Sequence, residues 1–164
     1  MSMKTAIYPG TFDPITFGHI DVIKKSLKIF DRLVIATTDN VNKNYFFSID
    51  ERLSIIKNSL FKDLKIDKKK IKVISFDILT INLCKKYKAS TIIRGLRAVS
   101  DFEYEFQLAG MNKKLENKID TIFLMSDVEN QIISSKFVKE IANLNGNINK
   151  FVTKSTVKIL KNKI

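Results

Sequence analysis

Cysteine is all but missing from this chain: Cys84 stands alone among 164 residues, so neither an intrachain disulfide nor a Cys-rich metal cluster is available to hold a fold. The core must therefore hold it, and a domain of this length buries roughly 70% of the surface its unfolded chain exposes. No run of consecutive apolar residues exceeds four, and the Met-Ser-Met-Lys start carries no apolar signal core. With an isolated thiol, these absences predict a cytoplasmic protein with no membrane partner. Proline, glycine and histidine are also scarce, at 2, 5 and 1 residues. Both prolines, two of the glycines and the sole histidine nevertheless share the twelve residues Tyr8–His19. Arginine is the scarce cation: Arg32, Arg52, Arg94 and Arg97 stand against 25 lysines.

The net charge of +12 invites a nucleic-acid reading, because basic side chains neutralise phosphates and release counterions. Its distribution argues against one. The lysines recur along almost every segment beside 24 Ile and 13 Asn, as a general residue-usage bias would produce. Lys68–Lys70 is the only run of three, and no aromatics interleave it, so no nucleic-acid partner is expected.

Five short runs rich in β-branched residues, at Thr5–Tyr8, Leu33–Thr37, Ile71–Phe76, Thr91–Ile93 and Thr121–Met125, alternate with helical patterns. Ile20, Ile23, Leu27 and Phe30 trace one helical face, while Ser48 with Glu51 and Ser100 with Glu103 have the spacing of capping boxes. The alternation predicts an α/β fold with a doubly wound, five-stranded parallel sheet and ligands at the carboxyl ends of its strands. No repeat or composition break divides the chain, so residues 1–164 are expected to form one domain. Asn143–Asn149 is expected to be a loop before a C-terminal helical segment from about residue 150, centred on Thr153–Leu160, which packs on the domain or makes an oligomer contact.

Three clusters carry the candidate chemistry. Tyr8–His19 links the first strand to the first helix. Gly10 and Gly18 permit close backbone approach there, and a helix starting near Gly18 aims its unsatisfied amides and positive dipole end at an anion. Thr11 and His19 are potential donors to phosphoryl oxygens. The bland alternative is an ordinary βα turn with a polar first helical residue. Arg94-Gly95-Leu96-Arg97 follows the fourth strand, and two guanidiniums around a glycine suit separate phosphates of a polyphosphate. The alternative there is ion pairing with Asp101, Glu103 or Glu105. In the acidic and aromatic stretch that follows, Phe102, Phe106 and Leu108 are expected in the core, with Glu105 able to reach a ribose or base. Ile133-Ser134-Ser135-Lys136 precedes a helix as a polar cap facing an anion, although a plain N-cap explains either serine.

Together, the strings Y-P-G-T-F-D-P-x-T-x-G-H and R-G-L-R-A-V-x-D-F-E-Y-E resemble those of the bacterial phosphopantetheine adenylyltransferases, within the nucleotidyltransferase superfamily marked by (T/H)-x-G-H. The match runs from about Lys4 to about Glu140. The resemblance implies a Rossmann-like nucleotidyltransferase fold and transfer of AMP from ATP to 4′-phosphopantetheine, giving dephospho-CoA and pyrophosphate on the way to coenzyme A. It also implies Mg²⁺ arriving with ATP rather than held by protein side chains, a homohexamer, and dephospho-CoA and CoA as further ligands. On matching positions it implies His19 and Lys43 as catalytic. Thr11, Phe12, His19, Gly95, Leu96, Arg97, Glu105 and the stretch Asn130, Gln131, Ile132, Ile133, Ser134, Ser135 and Lys136 match the ATP contacts. Thr11, Lys43, Thr80, Arg94 and Asn112 match the acceptor side. The chain departs from the family pattern in the Lys43 loop, at Lys136 where a hydroxyl residue is usual, and in Ser126–Gln131, which lacks the usual aromatic.

The expected mechanism is direct in-line attack by the acceptor phosphate on the α-phosphorus, with catalysis by positioning and charge stabilisation. Competing expectations are a related transferase acting on nicotinate mononucleotide or glycerol phosphate, and a basic nucleic-acid-binding protein on the same fold. An aminoacyl-tRNA synthetase shares the signature but needs far more chain.

Overall fold

In the computed structural model, residues 3–40 and 42–164 are described, as are all side chains within them except those of Val99 and Ser100. The five apolar runs form strands β1 (Thr5–Gly10), β2 (Arg32–Thr38), β3 (Ile71–Phe76), β4 (Thr91–Leu96) and β5 (Asp120–Met125). Helices α1 (Phe17–Ile29), α2 (Ile49–Lys57), α3 (Thr80–Tyr87), α4 (Val99–Leu115), α5 (Ser135–Asn143) and α6 (Lys154–Lys163) alternate with them or follow them. All the strands are parallel, in the order β3-β2-β1-β4-β5, with Ile7 in register with Val34 on one side and Ile92 on the other. The chain thus winds outward from β1 to β3 and then returns to lay β4 against the free side of β1. Strand order reverses between β1 and β4, and the two loops leaving that point open a crevice at the carboxyl edge.

Pleating divides the core between the two faces of the sheet. Ala6, Tyr8, Leu33, Ile35 and Ile93 meet Ile20 and Ile23 of α1, Ile55 and Ile56 of α2, Val138 of α5 and Leu160 of α6. On the other face Ile7, Val34, Ala36 and Ile92 meet Ile81, Leu83 and Cys84 of α3. Burial pushes the Cys84 thiol up to about 11, so it serves as an apolar filler. None of the helices among the described residues is long and apolar enough to cross a membrane.

The Ser48–Glu51 capping box forms: Glu51 N–H donates to Ser48 Oγ at 3.2 Å, and Ser48 N–H to Glu51 Oε2 at 2.7 Å. The second expected box, Ser100 with Glu103, lies outside the described residues because the Ser100 side chain is not among them; the backbone of α4 starts at Val99, with Ala98 in the cap position. The helix α2 runs on as a π-helical turn, Asn58–Asp63, whose Ser59 hydroxyl pairs with Thr153 Oγ1 at 2.7 Å. That pairing, with Thr156 and Leu160 buried, makes α6 a packing helix.

Two expectations are corrected. β1 and β4 run to Gly10 and Leu96, so Arg94 lies within β4, opposite Phe123, rather than after it. Phe102 and Phe106 do not enter the core; they are 43% and 62% exposed, and Leu108 is only half-buried. The apolar residues of α4 surround the helix instead of forming one stripe, and the buried position facing β4 is taken by Glu105, which pairs with a charge on that strand.

Candidate active site

At the crevice between β1 and β4 lies a cleft of about 870 Å³. Its first wall is the β1–α1 turn. Phe12 adopts φ 48° and turns its ring inward, 99% buried, against the edges of Tyr8 (centroids 5.3 Å apart) and His19 (5.1 Å). Phe12 therefore offers backbone, not ring, to a ligand. Asp13 ties the turn to the next loop: its carboxylate accepts from Phe46 N–H at 2.8 Å and Phe47 N–H at 2.9 Å, and from Lys139 Nζ at 3.2 Å. A Cβ at Gly18 would sit 3.0 Å from the Asn130 carbonyl, so glycine lets the first turn of α1 approach that segment.

His19 stands at the third position of α1. Its Nδ1 accepts from the backbone N–H of Thr16, the N-cap residue, at 3.1 Å. A backbone amide only donates, so the neutral ring must carry its proton on Nε2. Burial pushes the His19 pKa down to about 4, helped by the positive charges of Arg97 and Arg94. The cleft thus contains a neutral imidazole whose orientation and tautomer are set, with Nε2–H as its donor.

The second wall comes from β4 and the start of α4. Arg94 grips Glu105 with Nε (2.6 Å) and Nη2, and donates through Nη1 to the Pro9 carbonyl at 2.8 Å. Burial favours the neutral form of Arg94, yet this pairing outweighs it and raises the pKa. Arg97, between β4 and α4, donates from Nε to Asp101 in the first turn of α4 at 3.2 Å, an exposed contact. Both arginines thus form the ion pairs that were the alternative to phosphate binding, while still lining the cleft. The third wall is the start of α5. Ser134 is its N-cap and accepts from Phe137 N–H at 3.1 Å; Ser135 Oγ donates to the Pro14 carbonyl at 2.8 Å; Lys136 is 80% exposed along its side chain. The last wall is the loop Asn42–Tyr45, which brings Lys43.

Five cationic side chains line the cleft: Lys43, Arg94, Arg97, Lys136 and Lys139. The three acids there, Asp13, Asp101 and Glu105, are each engaged by an amide, a lysine or an arginine. Among the described residues no group of three or more His, Cys, Asp or Glu side chains is placed to hold a metal. The five cations suit a polyanion.

Of the residues singled out in the sequence, the structure gathers Thr11, Phe12, His19, Lys43, Arg94, Gly95, Leu96, Arg97, Glu105, Ile133, Ser134, Ser135 and Lys136 on this cleft. Thr80 and Asn112 lie apart from it, in the first turn of α3 and the fourth of α4. Asn130, Gln131 and Ile132 also stand back: Asn130 Nδ2 donates to Asp21 at 2.7 Å, Gln131 Nε2 to the Ser126 carbonyl at 3.3 Å, and Ile132 faces outward. Sequence reading overlooked the Thr16 cap on His19, although Thr16 is three residues before a helical histidine. It also overlooked the ties of Asp13 and the buried Arg52.

The model of the cytidylyltransferase-like family matches residues 7–141. A phosphopantetheine adenylyltransferase from Pelagibacter ubique is 71% identical over 160 residues, 98% of each chain. One from Wolbachia pipientis subsp. Culex pipiens is 52% identical over 155 residues, covering 94% of this chain and 90% of the relative. Among solved structures, a Plasmodium falciparum nicotinic acid mononucleotide adenylyltransferase complexed with APC shares the fold, with TM-score 0.73 at 18% identity, covering 99% of this chain and 97% of the other. A Francisella tularensis bifunctional NMN adenylyltransferase/ADP ribose pyrophosphatase gives 0.70 at 15% identity over 98% of this chain and 49% of the other.

Proposed function

Because the chain belongs to the cytidylyltransferase-like family, and within it to the phosphopantetheine adenylyltransferases, we propose that its cleft transfers AMP from ATP to 4′-phosphopantetheine, reversibly. One observation carries the assignment of roles: His19, Lys43, Arg94, Arg97 and the Ser134–Ser135 turn converge on one cleft at the strand-order reversal. An oxygen of the acceptor phosphate attacks the α-phosphorus in line. The bond to the bridging oxygen of the β-phosphate breaks, and pyrophosphate leaves with that electron pair. His19 Nε2–H and Lys43 Nζ stabilise charge on the α-phosphoryl oxygens. Being neutral, His19 donates without needing to gain or lose a proton during transfer. Arg97, Glu105, Gly95 and Leu96 bind the nucleotide, Ser134, Ser135 and Lys136 the departing phosphates, and Thr11, Lys43 and Arg94 the acceptor. No side chain acts as a covalent nucleophile.

Mg²⁺ enters as part of the substrate, MgATP, and neutralises phosphate charge that five protein cations must otherwise share. A cytoplasmic homohexamer completes the reading, with the outward-facing Tyr104, Phe106, Met111 and Leu115 of α4 as apolar surface for copies to cover. Dephospho-CoA and CoA, which share the acceptor's pantetheine arm, are expected to enter the same cleft.

Pyrophosphate release from MgATP tests the reading. With 4′-phosphopantetheine, turnover should appear and dephospho-CoA accumulate. Nicotinate mononucleotide and glycerol phosphate should support less than about 1% of that rate, because an acceptor that leaves buried polar groups unpaired loses orders of magnitude. Equal turnover with either alternative would overturn the assignment of the acceptor.

A further inference from the structure

Arg52 is the least accessible charged residue in the described structure, 0% exposed, and none of the roles above uses it. Its place on α2, three and four residues before Ile55 and Ile56, aims it into the sheet. There Nη1 donates to three acceptors: the Thr38 carbonyl at 2.8 Å, the Thr11 carbonyl at 3.1 Å and Thr37 Oγ1 at 3.2 Å. Thr37 Oγ1 itself donates to the Thr11 carbonyl at 2.9 Å. Nη2 reaches Asp39 at 3.4 Å, and the Tyr45 ring lies over the guanidinium, 3.9 Å from its carbon. The Tyr45 hydroxyl accepts from Asn40 N–H at 3.0 Å.

These contacts make a poor device for stability. The one carboxylate partner is distant and half exposed, and Nε has no partner among the described residues, so the desolvation of the cation is incompletely offset. What the contacts do achieve is geometric. One planar, rigid group joins the turn that carries Thr11 to both ends of the loop that carries Lys43, from Thr38 and Asp39 on one side to Tyr45 on the other.

We propose that Arg52 is a positioning residue for the transfer reaction, its guanidinium fixing the Thr11 turn against the Lys43 loop so that His19 and Lys43 address the same phosphoryl group. This rests on the transferase reading of the cleft. Lysine at this position keeps the charge but, with a single ammonium and no plane to stack, holds the two segments less well.

The test compares wild type, Arg52→Lys, Lys43→Ala and the double variant by steady-state pyrophosphate release. Arg52→Lys should lower kcat about 10- to 100-fold, with KM for ATP changed by less than about 3-fold, as misplacement of a catalytic group does. In the Lys43→Ala background the same substitution should cost less than about 3-fold, since a residue acting through Lys43 has little left to lose. An equal loss in both backgrounds, or unchanged kcat, overturns the proposal. Thr37→Val, which removes one Arg52 acceptor and a donor to Thr11 without placing a new charge, should slow turnover about 3- to 10-fold and stands in if Arg52→Lys fails to fold; an unchanged rate there overturns the proposal too. Hydrogen exchange in the ligand-free protein supplies a readout independent of activity. The amides of Asn40, Phe46 and Phe47 should exchange at least about 10-fold faster in either variant while that of Ile35 in β2 is unchanged, and unaltered loop exchange counts against the coupling. Should wild type release no pyrophosphate, the transferase reading falls, and exchange alone decides whether Arg52 couples the two segments.

Discussion

The turns that face each other across the cleft are held in opposite ways. The β1–α1 turn is tied to its surroundings at nearly every residue: Thr11 by Thr37 and Arg52, Phe12 by burial between two rings, Asp13 by two amides and a lysine, His19 by Thr16. The β4–α4 turn, with the end of β4 before it, is held by two charge pairs, Arg94 of β4 with Glu105 and Arg97 with Asp101, and by one bond from Arg94 to the Pro9 carbonyl, and it leads into a helix whose large apolar side chains face outward. The first turn is preorganised, so a phosphate meets donors already in place and little binding energy is spent on ordering them. The second keeps its cations partnered by carboxylates, so an incoming polyphosphate must compete for them. On this contrast, substitutions in the first turn should act on turnover, and substitutions in the second on stability and nucleotide affinity.

The largest effect expected is from His19→Ala, which removes the Nε2–H donor: kcat should fall by about 10³-fold, roughly 4 kcal/mol, with ATP binding changed little. Near-normal turnover would break the contrast at its strongest point. The state of the ring can be read directly because His19 is the only histidine in the chain. In the ligand-free protein its nitrogen resonances should show the Nε2–H tautomer and no titration midpoint above about 5. The sign of the linked stability follows. The unfolded ring takes up its proton as the pH falls through 6.5, and the folded ring only near 4, so stability is full above 6.5 and declines between those values, by up to about 3 kcal/mol.

Next comes Glu105→Gln. It leaves the half-buried Arg94 guanidinium without its bidentate carboxylate, at a cost of roughly 2–4 kcal/mol, and the melting temperature should drop by several degrees. A drop no greater than that of a surface substitution would mean that the second turn is held by something other than its charge pairs.

Much of this architecture was legible in the residues. Five β-branched runs became five strands because their side chains fill both faces of a buried parallel sheet, and the Ser48–Glu51 box formed because a cap is a local device. What escaped was tertiary. Pro9-Gly10 and Arg94-Gly95 read as turns, yet pairing with β2 and β5 holds them in strands. Phe102 and Phe106 read as core because aromatics usually are, but burial needs a partner surface, and the inward position of α4 belongs to Glu105. The cleft unites residues from positions 11–19, 43, 94–105 and 133–136 that share the carboxyl edge of the sheet, an edge implied by the strand and helix alternation. Arg52 carried one overlooked signal: an arginine in helical register with Ile55 and Ile56, in a chain that otherwise prefers lysine, occupies a position facing the core.

The smallest expected effect is from Asp101→Asn, and it separates Arg97 of the second turn from Arg94 at the end of β4. The Arg97–Asp101 contact joins the residue before α4 to its first turn on an exposed surface, where such pairs contribute about 0.2–1 kcal/mol, so the melting temperature should shift by no more than about 3 degrees. Binding should respond in the other direction. Arg97 freed of its carboxylate no longer divides its charge between Asp101 and a phosphate, and KM for ATP should fall about 2- to 3-fold while kcat stays within about 2-fold. The gain should shrink as salt is raised from 50 to 500 mM, because an exposed pair is already screened there. A loss of ATP affinity instead would mean that Asp101 orients the Arg97 guanidinium for the nucleotide, and the second turn would then be preorganised like the first.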